Sequence, residues 1–484
     1  MVKRIIWEPG RTFSEFSLLT GYTGKDCKIT DVDLTTRLSV NLTLKYPLMS
    51  AAMTSVTGYE MCVALGKFGG IGILPVNLPI EEQAQIVKSI KHLDLSFVED
   101  PLTARENETI EEVIRKIEQH GHSTIPVVDR FQNFLGMFVQ QRYWESGITP
   151  VKKVTEAMIP YSESASQIDV CHDPLISVDD VKEMLTHIKG KYVVILDEQQ
   201  RLVKIAFKQD IDDIKVGSAI SSHEGWENRV EANISAGVDL LCLDTSDAFG
   251  FFPENLIRSY KANKYDIPLC AGNVITYDGA MCLMNVGADM IKVGMSSGSI
   301  CTTQREKATG RAPMTALLDV VQARNDYYSK TGRYVPIIAD GGIATSADMI
   351  IALSVADAIM LGGYLNHFFE AAAPKLDKKG NITTDESKME YVETWGEGSE
   401  RARNLGRYGH AVRKTFFAEG AEGTIPYRRR LKPWLEKDMT KIEAALSNAG
   451  CRNLYEFRDN AVLELNSPHT SMVVSTTHDM QEKK

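Results

Sequence analysis

The 484-residue chain has little that would carry it out of water or onto a polyanion. No apolar stretch approaches the ~20 residues a bilayer-spanning helix needs. Basic residues are the minority, 54 Lys and Arg against 64 Asp and Glu; the net charge of -10 disfavours nonspecific binding to nucleic acid or anionic membrane. Eight cysteines lie scattered at 27, 62, 171, 242, 270, 282, 301 and 451, with no C-x-x-C pair and no metal-ligand spacing. That distribution excludes a disulfide framework and suits a reducing compartment. The opening Met-Val-Lys-Arg-Ile-Ile-Trp has no long apolar core or cleavage site, and the closing Gln-Glu-Lys-Lys is no peroxisomal address, so a cytoplasmic protein is expected. Composition is otherwise ordinary for a globular protein, 43% apolar and 24% charged, and the length calls for two or more domains.

Apolar runs of strand length recur at 47–52, 69–74, 240–244, 267–273, 290–294, 335–342 and 358–363, several ending in Gly, Asp, Asn or Ser. Helical segments such as 226–236 and 316–328 lie between the later ones. Near-continuous apolar strands alternating with helices indicate a parallel sheet buried on both faces. Seven clear units and an ill-defined eighth predict an α/β fold of the (β/α)8 TIM-barrel type, whose chemistry sits at the C-terminal strand ends. Asp244, Asn273, the turn around Cys301, Asp340-Gly341-Gly342 and Gly362-Gly363 all fall at such ends.

Between the second and third strands the pattern changes. An internal repeat appears at an offset of 68, pairing Asp129 with Asp197 and Gln141 with Gln209. Ile125-Pro-Val-Val-Asp129 parallels Val193-Val-Ile-Leu-Asp197, and each is followed by a second apolar strand. Thr109-Ile-Glu-Glu112 reads as a capping box opening an amphipathic helix, and Ser177 opens its counterpart. These features predict an insert of two similar modules over 96–216, divided near 158, within a barrel made of 1–95 and 217–484.

Cys301 stands in Gly294-Met-Ser-Ser-Gly-Ser-Ile-Cys301-Thr-Thr303, a Gly/Ser-rich turn directly after a strand. Small neighbours leave room for a substrate to reach the sulfur, and their backbone N–H groups can cradle an anion. A thiol so placed is a candidate nucleophile, whereas most cysteines are buried filler.

Together these segments resemble the IMP dehydrogenase / GMP reductase family over nearly the whole chain. The resemblance is carried by Arg11-Thr-Phe-Ser-Glu-Phe-Ser, Met49-Ser-Ala-Ala-Met53, Ala271-Gly-Asn273, the Cys301 loop, Ala339-Asp-Gly-Gly342 and the stretch from Tyr391 to Arg403. Arg407-Tyr408, with Ala418-Glu-Gly420 following, is similar to the dyad and close of that family's mobile flap, placed at about 385–425. The insert is similar to a tandem pair of CBS modules. The positions at which such modules grip a nucleotide ribose are Val139 and Arg142 in the first half and Phe207 and Asp210 in the second, and only Asp210 suits that role.

The resemblance implies NAD-dependent oxidation of IMP to XMP through a covalent bond from Cys301 to the purine C2. It implies Thr303, Arg407 and Tyr408 as the groups that activate water to release the product. On the substrate side it implies Met53 on the purine face, Asp340 on the ribose, Gly396 and Glu419 at the base, and Ser299, Gly341, Gly342, Gly362 and Gly363 around the phosphate. On the cofactor side it implies Asp244, Ser246, Asn273, Gly294 and Ser296. A K+ ion would take carbonyls of Ser296, Gly298 and Cys301, and the assembly would be a homotetramer with nucleotide effectors at the insert. The chain departs from the family pattern in four places. Thr394 stands for a phosphate-binding Tyr, Pro313 for a Gln, Ser296 for a Gly, and Val474-Ser-Thr-Thr-His-Asp479 occupies the place of a cation-binding Glu-Gly-Gly. GMP reductase, which deaminates GMP with NADPH and needs no flap dyad, remains the alternative activity. A non-catalytic nucleotide sensor is the second alternative.

Overall fold

The computed structural model describes residues 5–93, 97–120, 123–162, 168–188, 190, 192–207, 213–296, 298, 300–404, 418–467 and 470. The chain divides into two compact units, residues 1–91 with 214–484, and 92–213.

The larger unit is built on eight parallel strands: β1 (Leu48–Ser50), β2 (Gly72–Leu74), β3 (Val216–Ile220), β4 (Leu240–Asp244), β5 (Leu269–Val274), β6 (Met290–Val293), β7 (Ile337–Asp340) and β8 (Ala358–Leu361). From β2 onward each strand pairs in parallel with the next, β8 pairs with β1, and a bridge between Met49 and Ile71 closes the ring. Helices α1 (Tyr59–Phe68), α2 (Ile80–Lys91), α3 (Trp226–Ala236), α4 (Phe251–Ala262), α5 (Tyr277–Asn285), α6 (Pro313–Thr331), α7 (Ser346–Leu353) and α8 (Leu431–Asn448) follow the strands in turn. This is the (β/α)8 barrel. Its interior is filled by Met49, Ile71, Ile73, Ala219, Leu240, Cys242, Cys270, Met290, Ile338, Ala358 and Met360, so the centre is packed rather than open.

The strand that sequence patterning left ill-defined is β3. Its five residues, Val-Gly-Ser-Ala-Ile, are all buried, yet Gly217 and Ser218 dilute the apolar signal. Gly217 suits the close packing there, since a Cβ would lie 2.5 Å from Ile73 Cδ1 and 3.2 Å from the Leu240 carbonyl oxygen. Val216, assigned from sequence to the insert, pairs with Gly72 and opens this barrel strand.

The smaller unit contains two four-stranded sheets. One comprises residues 104–105, 124–128, 134–139 and 159–160; the other comprises 97–98, 169–171, 192–196 and 202–207. The central hairpins, Thr124–Val128 with Phe134–Val139 and Tyr192–Leu196 with Leu202–Phe207, are displaced by 68 residues in sequence. The turns repeat the same chemistry. Asp129 accepts from the N–H groups of Phe131 and Asn133, and Asp197 accepts from those of Gln199 and Arg201. Both hairpin ends meet at a bridge between Asn133 and Arg201. The Thr109–Glu112 and Ser177–Asp180 caps form as sequence predicts. Val139 ends a strand and Arg142 lies on the following helix, Gln140–Ser146, while Gln209 and Asp210 lie outside the described residues.

Among the described residues no helix is long and apolar enough to cross a membrane.

Candidate active site

A cavity of about 220 Å³ opens at the C-terminal ends of the barrel strands. Side chains pointing into a barrel alternate along each strand, so the inward set runs Leu240, Cys242, Asp244 on β4, Met290, Lys292 on β6 and Ile338, Asp340 on β7. The last residue of each triple or pair is polar and lines the cavity floor.

Lys292 organises that floor. It is only 2% exposed. Its ammonium lies 2.9 Å from Asp244 Oδ1 and 3.2 Å from Asp340 Oδ2, and it donates to Asn273 Oδ1. Asn273 Nδ2 in turn donates to Asp340 Oδ2 at 2.8 Å and to the Gly294 carbonyl at 2.6 Å. Burial alone would lower the lysine's proton affinity, but the adjoining Asp244 and Asp340 carboxylates outweigh it and hold the ammonium well above the ordinary lysine range. Gly272 makes the arrangement sterically feasible: a Cβ there would lie 2.6 Å from both Lys292 Cβ and its carbonyl oxygen. Sequence reading passed over Lys292 because it sits inside an apolar run. The signal was a charged residue at an inward position of a strand buried on both faces, where only a paired charge persists.

Cys301 lies on the cavity wall and is exposed. Its loop is held against residues 418–421 by an antiparallel bridge to Gly420, by Thr302 N–H donating to the Glu419 carbonyl, and by Ala421 N–H donating to the Ile300 carbonyl. The Cys301 sulfur is 3.2 Å from Thr303 Oγ1, which donates to Glu419 Oε2 at 3.0 Å. Lys307 pairs with the same carboxylate oxygen at 3.1 Å. A thiol, a hydroxyl, a carboxylate and an ammonium thus form one chain.

Of the residues expected from sequence, Met53, Asp244, Ser246, Asn273, Gly294, Ser296, Gly298, Cys301, Thr303, Asp340, Gly341, Gly396 and Glu419 line the cavity together. Gly342, Gly362 and Gly363 adjoin the ends of β7 and β8 without lining it; a Cβ on Gly362 would lie 3.2 Å from Met53 Sδ. Ser299, Arg407 and Tyr408 lie outside the described residues. The Gly298 carbonyl accepts from Cys301 N–H at 3.1 Å, and Ser296 adopts a φ of 61° with its hydroxyl on the Thr309 carbonyl. Among the described residues no cluster of three or more His, Cys, Asp or Glu suits a metal ion. Several further lining residues were not singled out from sequence, Glu397 among them. Glu397 accepts from Thr54 N–H at 2.5 Å and from its hydroxyl at 2.8 Å, while Trp395 Nε1 donates to the same hydroxyl.

Known proteins share both the sequence and the fold. The model of the IMP dehydrogenase / GMP reductase domain matches residues 10–478. The inosine-5′-monophosphate dehydrogenase of Tritrichomonas foetus is 32% identical over 500 residues, covering 98% of this chain and 96% of that protein. The enzyme of the same name from Aquifex aeolicus is 29% identical over 93% of this chain and 92% of its own. In fold, the chain is similar to the crystal structure of a GMP reductase from Trypanosoma brucei, a cysteine-to-alanine variant in complex with guanosine 5′-monophosphate. The TM-score is 0.68 at 23% identity, over 98% of each chain.

Proposed function

Because the chain belongs to the IMP dehydrogenase / GMP reductase family, we propose that it is the dehydrogenase, oxidising IMP to XMP with NAD+. The observation that carries this reading is the exposed Cys301 thiol, backed by Thr303 and Glu419, on the wall of a cavity floored by two carboxylates. The thiol proton has a path through Thr303 Oγ1 to the Glu419 carboxylate, leaving a thiolate to add to the electrophilic purine C2. NAD+ supplies the hydride acceptor. Water then replaces sulfur at C2 and releases XMP, with Thr303, Arg407 and Tyr408 as the residues assigned to activate it.

Asp340 accepts from the substrate ribose and Asp244 from a cofactor ribose, each a carboxylate at a strand end with donors to hold it. Met53 packs on the purine, and Gly396 and Glu419 bound its edge. The phosphate falls to Ser299 and the backbone of Gly341, Gly342, Gly362 and Gly363, in the usual place for a barrel of this kind. The positive φ of Gly341 and Gly342, 86° and 77°, allows that turn without strain. Ser246, Asn273, Gly294 and Ser296 form the cofactor side.

The insert is assigned as the CBS pair, on its repeat of 68 residues and its two similar sheets. With Val139, Arg142 and Phe207 at three of the four ribose positions and Asp210 at the fourth, a structural or packing part for it stands level with nucleotide sensing. A homotetramer in the cytoplasm fits the family and the eight free thiols. Carbonyls of Ser296, Gly298 and Cys301 would hold K+; titrating activity with KCl against NaCl tests that site. The activity itself is tested by NADH formation from IMP and NAD+, set against NADPH consumption with GMP. The second result would make the chain a GMP reductase, and neither would leave it a nucleotide sensor.

A further inference from the structure

Lys292 has no part in the chemistry just described, yet it sits at the centre of the cavity floor. The floor carries two carboxylates from different sides of the site, and the cation between them is withdrawn from solvent. Asp244 reaches Lys292 from β4 and Asp340 from β7, at 2.9 and 3.2 Å, and Asn273 from β5 bonds to both Lys292 and Asp340. The register that places them is continuous, since Asp244 pairs with Gly272 and Gly272 with Lys292. Gly272 is the one residue type that admits the lysine stem there, as a Cβ would lie 2.6 Å from it.

We infer that Lys292 is a positioning residue that binds the substrate-side carboxylate, Asp340, and the cofactor-side carboxylate, Asp244, into a single preformed unit serving both nucleotides. The inference rests on the assignment of those two carboxylates to the two riboses. Two carboxylates facing one cavity repel each other, and each would turn toward water if nothing held it. A buried ammonium bonded to both fixes their oxygens before either nucleotide arrives, so neither ligand has to order its own acceptor. A neutral side chain at position 292 leaves two like charges unneutralised in a largely buried floor. At least one carboxylate then takes up a proton more readily, and the ribose acceptor is lost as pH falls. The groups facing the lysine are Asp244 and Cys242 from β4, Asn273 and Cys270 from β5, and Asp340 from β7. Both thiols are buried, and the contact with Cys242 together with burial holds the Cys270 thiol well above its ordinary range, so the carboxylates that face the cavity are the groups that respond.

The test compares the full-length wild type with Lys292→Met and Lys292→Arg in steady-state assays with IMP and NAD+ from about pH 5 to about pH 9, so that the acid side, where a carboxylate without its cation takes up a proton, is sampled. Lys292→Met is expected to raise the KM for IMP and for NAD+ together and to lower kcat/KM at least tenfold. It should also add an acid limb to the kcat/KM profile that the wild type lacks. Lys292→Arg, which keeps the charge, should recover most of the loss and remove that limb. Should Lys292→Met fail to accumulate as folded protein, Lys292→Gln carries the same comparison. A lysine that only supports the fold would reduce folded yield or kcat, leaving both KM values and the pH profile in place, and that result overturns the inference. If the wild type turns over neither IMP nor GMP, the functional reading itself fails, which is a separate outcome.

Discussion

Glu419 offers the sharpest perturbation of the thiol. Its Oε2 accepts from Thr303 Oγ1 at 3.0 Å and pairs with Lys307 at 3.1 Å, while Thr303 Oγ1 lies 3.2 Å from the Cys301 sulfur. Glu419→Gln keeps the size and an acceptor oxygen but removes the charge. A hydrogen bond to an ionised acceptor contributes about 1.5–3 kcal/mol, against about 1 for a neutral one. The swap therefore weakens the hold on Thr303 by about 0.5–2 kcal/mol and removes the carboxylate that takes up the thiol proton, which is about two- to thirtyfold in a rate that needs that proton relayed. The assay is the single-turnover rate of NADH formation from IMP and NAD+, with iodoacetamide labelling of Cys301 and mass spectrometry of its peptide to show that the thiol stays accessible. Peptide resolution is needed because Cys171 and Cys282 are also partly accessible, whereas Cys62, Cys242 and Cys270 are buried. Glu419→Gln should slow NADH formation by that factor while Cys301 remains open to labelling. An unchanged rate of NADH formation would refute the proton path through Thr303.

Gly272→Ala should drive β5 against the Lys292 backbone, 2.6 Å from the added methyl, at a cost of about 1–3 kcal/mol; thermal unfolding would show a lower Tm together with weaker IMP binding, and an unchanged Tm contradicts it. Burial pulls the Lys375 ammonium down to about 8, below the ~10.4 of an exposed lysine. Between those values the unfolded chain binds more protons, so stability rises with pH across about 8 to 10, by up to about 3 kcal/mol from this group. Urea unfolding at both ends of that window should show the rise in wild type and not in Lys375→Met; equal slopes would contradict it. Above that window Tyr334 and Tyr427, whose hydroxyls burial holds above the ordinary tyrosine range, act in the opposite sense.

The barrel is legible in the sequence because strands buried on both faces read as unbroken apolar runs, and seven of the eight do so. β3 does not, since Gly217 fits closely against Ile73 and Leu240 and the strand carries Ser218, which is buried too. The insert's hairpins are legible through a different signal: Asp129 and Asp197 form the same turn 68 residues apart. In the site, residues at strand ends are recognisable because chemistry of this kind sits there, and Asp244, Asn273, Cys301 and Asp340 converge on one cavity. Lys292 is hidden by its apolar neighbours, and Glu397 by a Gly-Glu-Gly setting with nothing local to mark it. Both owe their roles to partners far along the chain, Asp244 and Asp340 for one and Thr54 for the other. Spacing within a segment carries no trace of such pairs.

All of the proposed chemistry passes through a bond between the Cys301 sulfur and the purine, and mass spectrometry of enzyme quenched during turnover with IMP and NAD+ would detect it. A nucleotide adduct is expected on the Cys301 peptide alone, absent without NAD+ and absent in Cys301→Ala, which should form no NADH. Turnover of IMP by Cys301→Ala at a rate near wild type, or an adduct on a different residue, would contradict it.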